Sequence, residues 1–283
     1  MIHTIAVAGA GTMGGGIAQT FAQAGHDVLL YDESAPAIDR ARRAIEKSLA
    51  KFVEKGEISD DERDAALACL RPAATVGQLV TADFFIEAIV ESENAKRALL
   101  QSVDTLLRPT VILASNTSSI PISTLAAATS RPDRVVGMHF MNPVPLMPLV
   151  EIVRGAATSD ETVATTVMLC QALGKTPVES ADRPGFIANR VLMPMINEAV
   201  HALAEGVASA ESIDTVLKLG MRHPMGPLAL ADLIGLDVCV AIMDVMAAGL
   251  GDRKYAPAGL LREKVAAGEL GRKSGKGFYE YPT

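Results

Sequence analysis

The sequence predicts an α/β fold in which an open, mostly parallel sheet domain is followed by a smaller all-helical domain. Three observations predict it. Up to residue 183, short apolar runs alternate with longer amphipathic stretches, the pattern of parallel strands joined by crossover helices. Beyond Asp182-Arg183-Pro184-Gly185 the strand-like runs give way to helical ones. The 283 residues also exceed an ordinary single domain, so a division into 1–183 and 184–283 is natural.

Taken in chain order, 4–8 reads as the first strand and 13–24 as the helix after it, with Gly25 as C-cap. A second strand covers 28–31. Pro36 suits the first turn of a long helix running to residue 54, where its fixed φ and missing N–H do no harm. Further strands fall at 84–89, 111–114, 135–139, 149–153 and 176–179. Helices fit at 93–107 and 160–173, the second capped by Gly174. In the second part, 187–205, 210–219, 228–247 and 258–267 read as helices separated by glycine or proline.

Composition narrows the function classes. With 26 Lys and Arg against 33 Asp and Glu, the net charge of -7 argues against a general affinity for nucleic acid. The three cysteines (Cys69, Cys170 and Cys239) lie far apart with no C-x-x-C pair, so buried thiols in a reducing compartment are expected and no metal site. Met1-Ile2-His3 runs straight into an apolar strand without a basic leader, and the most apolar stretch, 228–250, is broken by Asp232, Asp237 and Asp244. Neither a secretory signal nor a membrane span is expected, and the cytoplasm is the expected location.

The segment Gly9-Ala10-Gly11-Thr12-Met13-Gly14 is the strongest local motif. Its first glycine permits a tight turn, the second lets the backbone approach a pyrophosphate, and the third lets helix and strand pack closely. G-x-G-x-x-G alone is weak, because glycine-rich turns arise by chance. Here it follows a strand, opens a helix and precedes Asp32, 18 residues beyond Gly14, at the end of the next strand. That combination marks a Rossmann-type dinucleotide site. A carboxylate at 32 binds ribose hydroxyls and repels a 2′-phosphate, so NAD is expected as cofactor rather than NADP.

His139 ends an apolar strand, and Glu151, twelve residues on, begins or lies within another. Groups at the carboxyl ends of strands line the ligand crevice of open α/β sheets, and a loop of that length can bring the two together. A neutral imidazole is a suitable base for an alcohol proton, and a carboxylate beside it would fix its tautomer. By spacing alone a strand-end histidine is more often structural than catalytic. The serine-rich turn 115–119 also follows a strand, where Ser118 or Ser119 could cap the next helix or face a ligand. Arg40, Arg43, Lys47, Lys51 and Lys55 recur at three- and four-residue steps, forming one basic helix face that is either simply solvated or suited to phosphates.

Seven motifs together resemble the short-form L-3-hydroxyacyl-CoA dehydrogenase family, most of all its bacterial 3-hydroxybutyryl-CoA dehydrogenases. They are the glycine loop, Ile86-Glu87-Ala88, Ser115-Asn116-Thr117-Ser118-Ser119, the run 137–145 around His139, Pro184-Gly185-Phe186-Ile187-Ala188-Asn189-Arg190, His223-Pro224-Met225-Gly226-Pro227, and 271–277. The resemblance implies oxidation of an (S)-3-hydroxyacyl-CoA to the 3-ketoacyl-CoA, with His139 as general acid/base and Glu151 orienting it. It further implies that Ser118 and Asn189 hydrogen-bond substrate or cofactor, and that Glu91, Lys96, Asn142 and Lys273 contact the cofactor. Ser48, Lys51 and Lys55 are implied for the coenzyme A grip, and a homodimer through the helical domain is implied as well. Met141 stands where many members carry a second Phe. Two rivals remain at this level: a hydroxyacid dehydrogenase with a lysine base, and a nucleotide-binding scaffold without chemistry. The presence of His139, Glu151, Ser118 and Asn189 together argues against both.

Overall fold

The computed structural model describes residues 2–282, so Met1 and Thr283, the outermost residues of the two expected domains, lie outside the described residues. The chain divides into two compact units, Met1–Arg183 and Pro184–Thr283.

In the first unit, β1 (Thr4–Ala8) leads to α1 (Thr12–Gln23), β2 (Asp27–Tyr31), α2 (Ala35–Glu54), α3 (Asp60–Ala68) and β3 (Leu70–Ala73). The chain then returns through β4 (Phe84–Glu87), α4 (Glu93–Leu106), β5 (Ile112–Ser115), the short α5 (Ile122–Ala126) and β6 (Val135–Phe140). It ends with β7 (Leu149–Arg154), α6 (Asp160–Ala172) and β8 (Thr176–Ala181). Among the described residues these strands form one sheet in the order β3-β2-β1-β4-β5-β6-β7-β8. Neighbours are parallel except β6 and β7, which run antiparallel. Winding proceeds outward from β1 to β3, then resumes on the other side with β4. The reversal between β1 and β4 opens a crevice beyond the carboxyl ends of the strands, where ligands of such sheets bind.

The central strands are buried on both faces, which is why they read as continuous apolar runs rather than alternating ones. Amphipathic α2 packs Ile38, Ala41, Ile45 and Leu49 inward and leaves its basic face outward.

The structure adds elements that the pattern misses and divides one that it joins. Helix α3 buries little besides Ala66, so it has no apolar stripe to read; a capping box between Ser59 and Glu62 starts it. Strand β3 contains Pro72, tolerable because β3 is an edge strand. The five-residue α5 is too short for periodicity to show.

The second unit contains α7 (Ala188–Ala204), α8 (Ala210–Thr215), α9 (Pro227–Ile234), α10 (Leu236–Leu250) and α11 (Gly259–Ala266) around a core that includes Met193, Ile196, Leu228, Leu236 and Met243. The helix expected at 228–247 is therefore two, bent by 96° at Gly235, whose φ of 107 glycine adopts without a Cβ clash. The helix expected at 210–219 is α8 followed by a π turn, Val216–Gly220. Two buried carboxylates tie this unit together. Asp214 accepts from the N–H groups of Leu228 and Ala229 at the start of α9, and Asp232 from those of Phe278 and Tyr279. A Cβ on Gly226 would lie 2.2 Å from the Asp214 side chain, and one on Gly277 2.0 Å from Asp232 Oδ1. The glycines of the two C-terminal motifs thus make room for these carboxylates.

Among the described residues, no single helix is long and apolar enough to cross a membrane, and no group of three or more His, Cys, Asp or Glu could hold a metal ion. Cys170 and Cys239 are buried free thiols, and burial pushes each up to about 12.

Candidate active site

One edge of the first unit's sheet gathers the groups that can do chemistry. Five strands, β1, β2, β4, β5 and β6, run parallel and end there, and the antiparallel β7 starts there. The glycine loop follows β1, Asp32 follows β2, Glu87 ends β4, the serine turn follows β5, His139 lies near the end of β6, and Glu151 near the start of β7.

The loop geometry explains each glycine. Gly9 has a φ of 106, and a Cβ there would lie 2.3 Å from the carbonyl oxygen of Ala88. A Cβ on Gly14 would lie 1.8 Å from the Gly9 oxygen, so α1 crosses the loop as closely as backbone allows. A Cβ added at Gly11 would meet no atom within 4 Å beyond its chain neighbours, which leaves space over the loop there. Helix α1 begins with no side-chain cap and no acidic residue in its first turn, so its N-terminal dipole and amides are turned to that space. Asp32 accepts from Ala10 N at 2.7 Å and from Ser34 N at 2.9 Å, bracing the loop while lining a cavity of about 510 Å³. Ala10, Gly11, Thr12, Arg40, Ser48 and Asn142 line it too. An open cradle, uncapped amides and a neighbouring carboxylate fit a dinucleotide pyrophosphate and its ribose.

His139 and Glu151 are directly opposed in the β6–β7 ladder, which puts both side chains on one face. Glu151 Oε2 lies 2.7 Å from His139 Nδ1, and the two residues are 1 % and 8 % exposed. An ionised carboxylate only accepts, so Nδ1 carries the proton and the ring's basic lone pair sits on Nε2.

Beside them, Glu91 gathers the serine turn. Its Oε1 accepts from the Thr117 hydroxyl at 2.6 Å, Ser118 N at 2.9 Å, Ser119 N at 3.2 Å and the Ser119 hydroxyl at 3.1 Å. Lys96 Nζ lies 3.1 Å from Glu91 Oε2 and donates at 2.6 Å to Glu87, which also accepts from the Ser115 hydroxyl. Burial raises both acids, but the outcomes diverge. Glu87 stays above the usual carboxylate range despite Lys96. In Glu91 the Lys96 charge and the turn's donors outweigh burial and hold it below that range.

Within the first unit, some expected residues sit elsewhere than at the cavity. Lys96 is 1 % exposed and enclosed by the two glutamates. On α2, Ser48 and Arg40 line the cavity, whereas Lys51 and Lys55 are exposed beyond it. Asn189, buried near the start of α7, and Lys273, ion-paired at 2.5 Å with Asp237, belong to the helical unit. The sequence reading gives no role to Glu87, Ser115 or Asn116, whose side-chain oxygen accepts from Phe140 N at 2.9 Å and ties the serine turn to β6. A charge closing the apolar run 84–87 is the signal that could have found Glu87.

Comparisons with known proteins find matches over both units of the chain. Residues 4–183 match the family model of the 3-hydroxyacyl-CoA dehydrogenase NAD binding domain, and 185–281 that of the 3-hydroxyacyl-CoA dehydrogenase C-terminal domain. A probable 3-hydroxybutyryl-CoA dehydrogenase of Bacillus subtilis is 53% identical over 99% of this chain and 98% of its own. A 3-hydroxybutyryl-CoA dehydrogenase of Bradyrhizobium diazoefficiens is 48% identical over 99% of this chain and 96% of its own. The crystal structure of (S)-3-hydroxybutyryl-CoA dehydrogenase from Ralstonia eutropha superposes with a TM-score of 0.97 at 47% identity, covering both chains completely. With the mostly parallel sheet, the glycine loop and the matches to both domain models, the chain belongs to the 3-hydroxyacyl-CoA dehydrogenase family.

Proposed function

We propose that this protein catalyses the reversible oxidation of (S)-3-hydroxyacyl-CoA to 3-ketoacyl-CoA with NAD, acting on 3-hydroxybutyryl-CoA and acetoacetyl-CoA. The observation that carries the reading is the His139–Glu151 pair, 2.7 Å apart, on the sheet edge that also holds the glycine loop. Membership of the family and the names of its relatives support the substrate class.

In this reading NAD, when bound, would supply the acceptor for the hydride leaving C3, and NADH the donor in reverse. His139 takes the C3 hydroxyl proton on Nε2 during oxidation and returns it during reduction. Glu151 keeps the proton of the neutral ring on Nδ1 and stabilises the imidazolium once it forms. Ser118 and Asn189 orient the substrate oxygen, a role that the family supports. Glu91 shapes the turn presenting Ser118, and Lys96 acts through Glu91 rather than by touching a ligand. The backbone of residues 9–14, with Asp32 and Asn142, holds the dinucleotide, and Lys273 contributes from the helical unit. Ser48, Lys51 and Lys55 take the coenzyme A end.

We read the assembly as a homodimer through the helical unit, whose exposed Val191, Leu219 and Met221 offer apolar surface. We place the protein in the cytoplasm, without nucleic-acid or membrane partners. The test is to mix the purified protein with NADH and acetoacetyl-CoA. Consumption of NADH is expected, and the His139→Ala variant should lose most of that rate while still binding NADH. An unmutated protein that fails to turn over acetoacetyl-CoA would refute the proposal.

A further inference from the structure

We infer that Lys175 is a positioning residue for the cofactor cavity, its buried ammonium holding the backbone of the loop 143–147 that forms one wall. The inference rests on reading that cavity as the NAD site.

The loop between β6 and β7 has an unusual need. Pro143, Pro145 and Pro148 have no N–H, so the segment cannot continue the ladder that joins the two strands, and its carbonyls require another donor. The N–H groups of Leu146 and Met147 both turn back to the Pro143 oxygen, at 3.0 Å each. Lys175, directly before β8, supplies three such bonds. Its Nζ donates to the carbonyl oxygens of Val144 at 2.7 Å, Met147 at 2.8 Å and Pro145 at 3.4 Å. An ammonium has three protons and no acceptor, so these three carbonyls use it fully. Lys175 is 8 % exposed. Burial lowers its pKa.

The same loop lines the cavity. Asn142, Pro143, Val144 and Pro145 line it, together with Gly11 and Asp32. Val144 also seats on α1 at Gly16, where an added Cβ would come within 2.9 Å of the Val144 side chain. The wall is therefore held by α1 through the Val144 side chain and by Lys175 through the loop's carbonyls. His139 and Glu151 are fixed separately by their own ladder pairing. Loss of Lys175 should thus move the wall and leave the catalytic pair in register.

The test uses Lys175→Met and Lys175→Arg in the full chain, with NADH binding followed by nucleotide fluorescence and acetoacetyl-CoA reduction by steady-state kinetics. For Lys175→Met, loss of a charged hydrogen-bond donor should raise the NADH dissociation constant and KM about tenfold or more, with kcat at saturating NADH within about threefold. Lys175→Arg, which keeps the charge and the donors, should recover much of the affinity. Unchanged NADH affinity in a folded Lys175→Met protein would overturn the inference, and so would a fall in kcat with no change in KM. If that variant does not fold, Lys175→Gln, which keeps two donors, reads the same split. Failure of the unmutated protein to bind NADH would remove the reading of the cavity itself, an outcome that needs no variant to recognise.

Discussion

Glu151 faces His139 across the one antiparallel pairing among the described strands of the sheet, its carboxylate 2.7 Å from Nδ1. Because the contact is set by strand register rather than by a loop, its geometry is as rigid as the ladder. Glu151→Gln keeps the shape but offers an amide that donates as well as accepts, so the ring's tautomer is no longer dictated and the imidazolium loses its counter-charge. We expect kcat to fall roughly 10²- to 10⁴-fold, the range for disabling general acid–base catalysis. NADH affinity should stay near its unmutated value, since the glycine loop is untouched. Kinetics with a parallel NADH titration check this; equal losses in both would contradict it.

Gly11 and Gly14 separate packing from binding within one loop. A Cβ on Gly14 would collide with the Gly9 oxygen at 1.8 Å, so Gly14→Ala must shift α1 against β1. Overpacking of this kind costs about 1–3 kcal/mol, so the melting temperature should drop. At Gly11 the added methyl meets no protein atom within 4 Å. Gly11→Ala should therefore melt almost like the unmutated protein yet bind NADH more weakly, because the methyl occupies the space over the loop. Thermal melts and NADH titrations of the two variants give the comparison, and a stable, tight-binding Gly14→Ala would contradict the packing argument.

These cases also mark where the sequence is legible. The glycine loop and Asp32 are local, with Gly14 answering to the Gly9 carbonyl and Asp32 to the Ala10 N–H within one βαβ unit, so the motif can be read directly. The His139–Glu151 contact is different. A spacing of twelve residues permits it, but only the register of β6 against β7 brings it about. Lys175 leaves no trace at all, because its partners are backbone carbonyls 28 to 31 residues away and carbonyls carry no side-chain signature. The break at Gly235 hides for a related reason. Its neighbours on both sides are good helix formers, and glycine inside a helical pattern is tolerated until tertiary packing selects a positive φ.

Asp32 should set the nucleotide preference. Its carboxylate lines the cavity while accepting the Ala10 and Ser34 N–H groups, so it is fixed in place and acceptor-only on that side. NADPH should be used much less well than NADH. Asp32→Ala should narrow the gap between them by weakening NADH, with the NADH KM rising about tenfold or more, on the scale of a charge-assisted hydrogen bond. Paired KM values for both nucleotides decide it. A natural preference for NADPH would refute the assignment of Asp32.

Acid stability should depend on Asp104 and Arg131. Arg131 donates to Asp104 at 2.7 Å and to the Leu107 carbonyl at 3.0 Å, closing the end of α4, and both side chains are 8 % exposed. Burial pushes Asp104 upward, but the Ser130 N–H and the Arg131 guanidinium outweigh it and hold its pKa below the ordinary range. A depressed carboxyl contributes stability that is present above the unfolded-state pKa and lost as pH falls through the folded one. Denaturant melts from neutral to acidic pH should show that loss begin as pH enters the usual Asp range and finish below the lowered folded-state pKa. Arg131→Met strands the carboxylate and should cost about 3 kcal/mol at neutral pH, the lower end for breaking a buried pair. Its stability should also fall less steeply toward acid, and a parallel pH profile would contradict the assignment.

The cations of the basic face of α2 and its C-cap divide in the structure. Arg40 lines the cavity beside Ser48, whereas Lys51 and Lys55 project from the exposed turns that follow. Lys55 has a carboxylate only at 3.8 Å, that of Glu57, with both groups largely in solvent. Charges in that setting attract a phosphate weakly and are screened by salt, with a Debye length of about 10 Å at 0.1 M. Lys51→Ala/Lys55→Ala should therefore raise the KM for acetoacetyl-CoA several-fold at low salt and leave kcat and NADH affinity alone. The difference should shrink as salt is added, because screening removes in the unmutated protein what the substitutions remove from the chain. A KM that rises equally at all salt concentrations would point instead to a packing role for these lysine stems, and an unchanged KM would take both residues out of the coenzyme A grip.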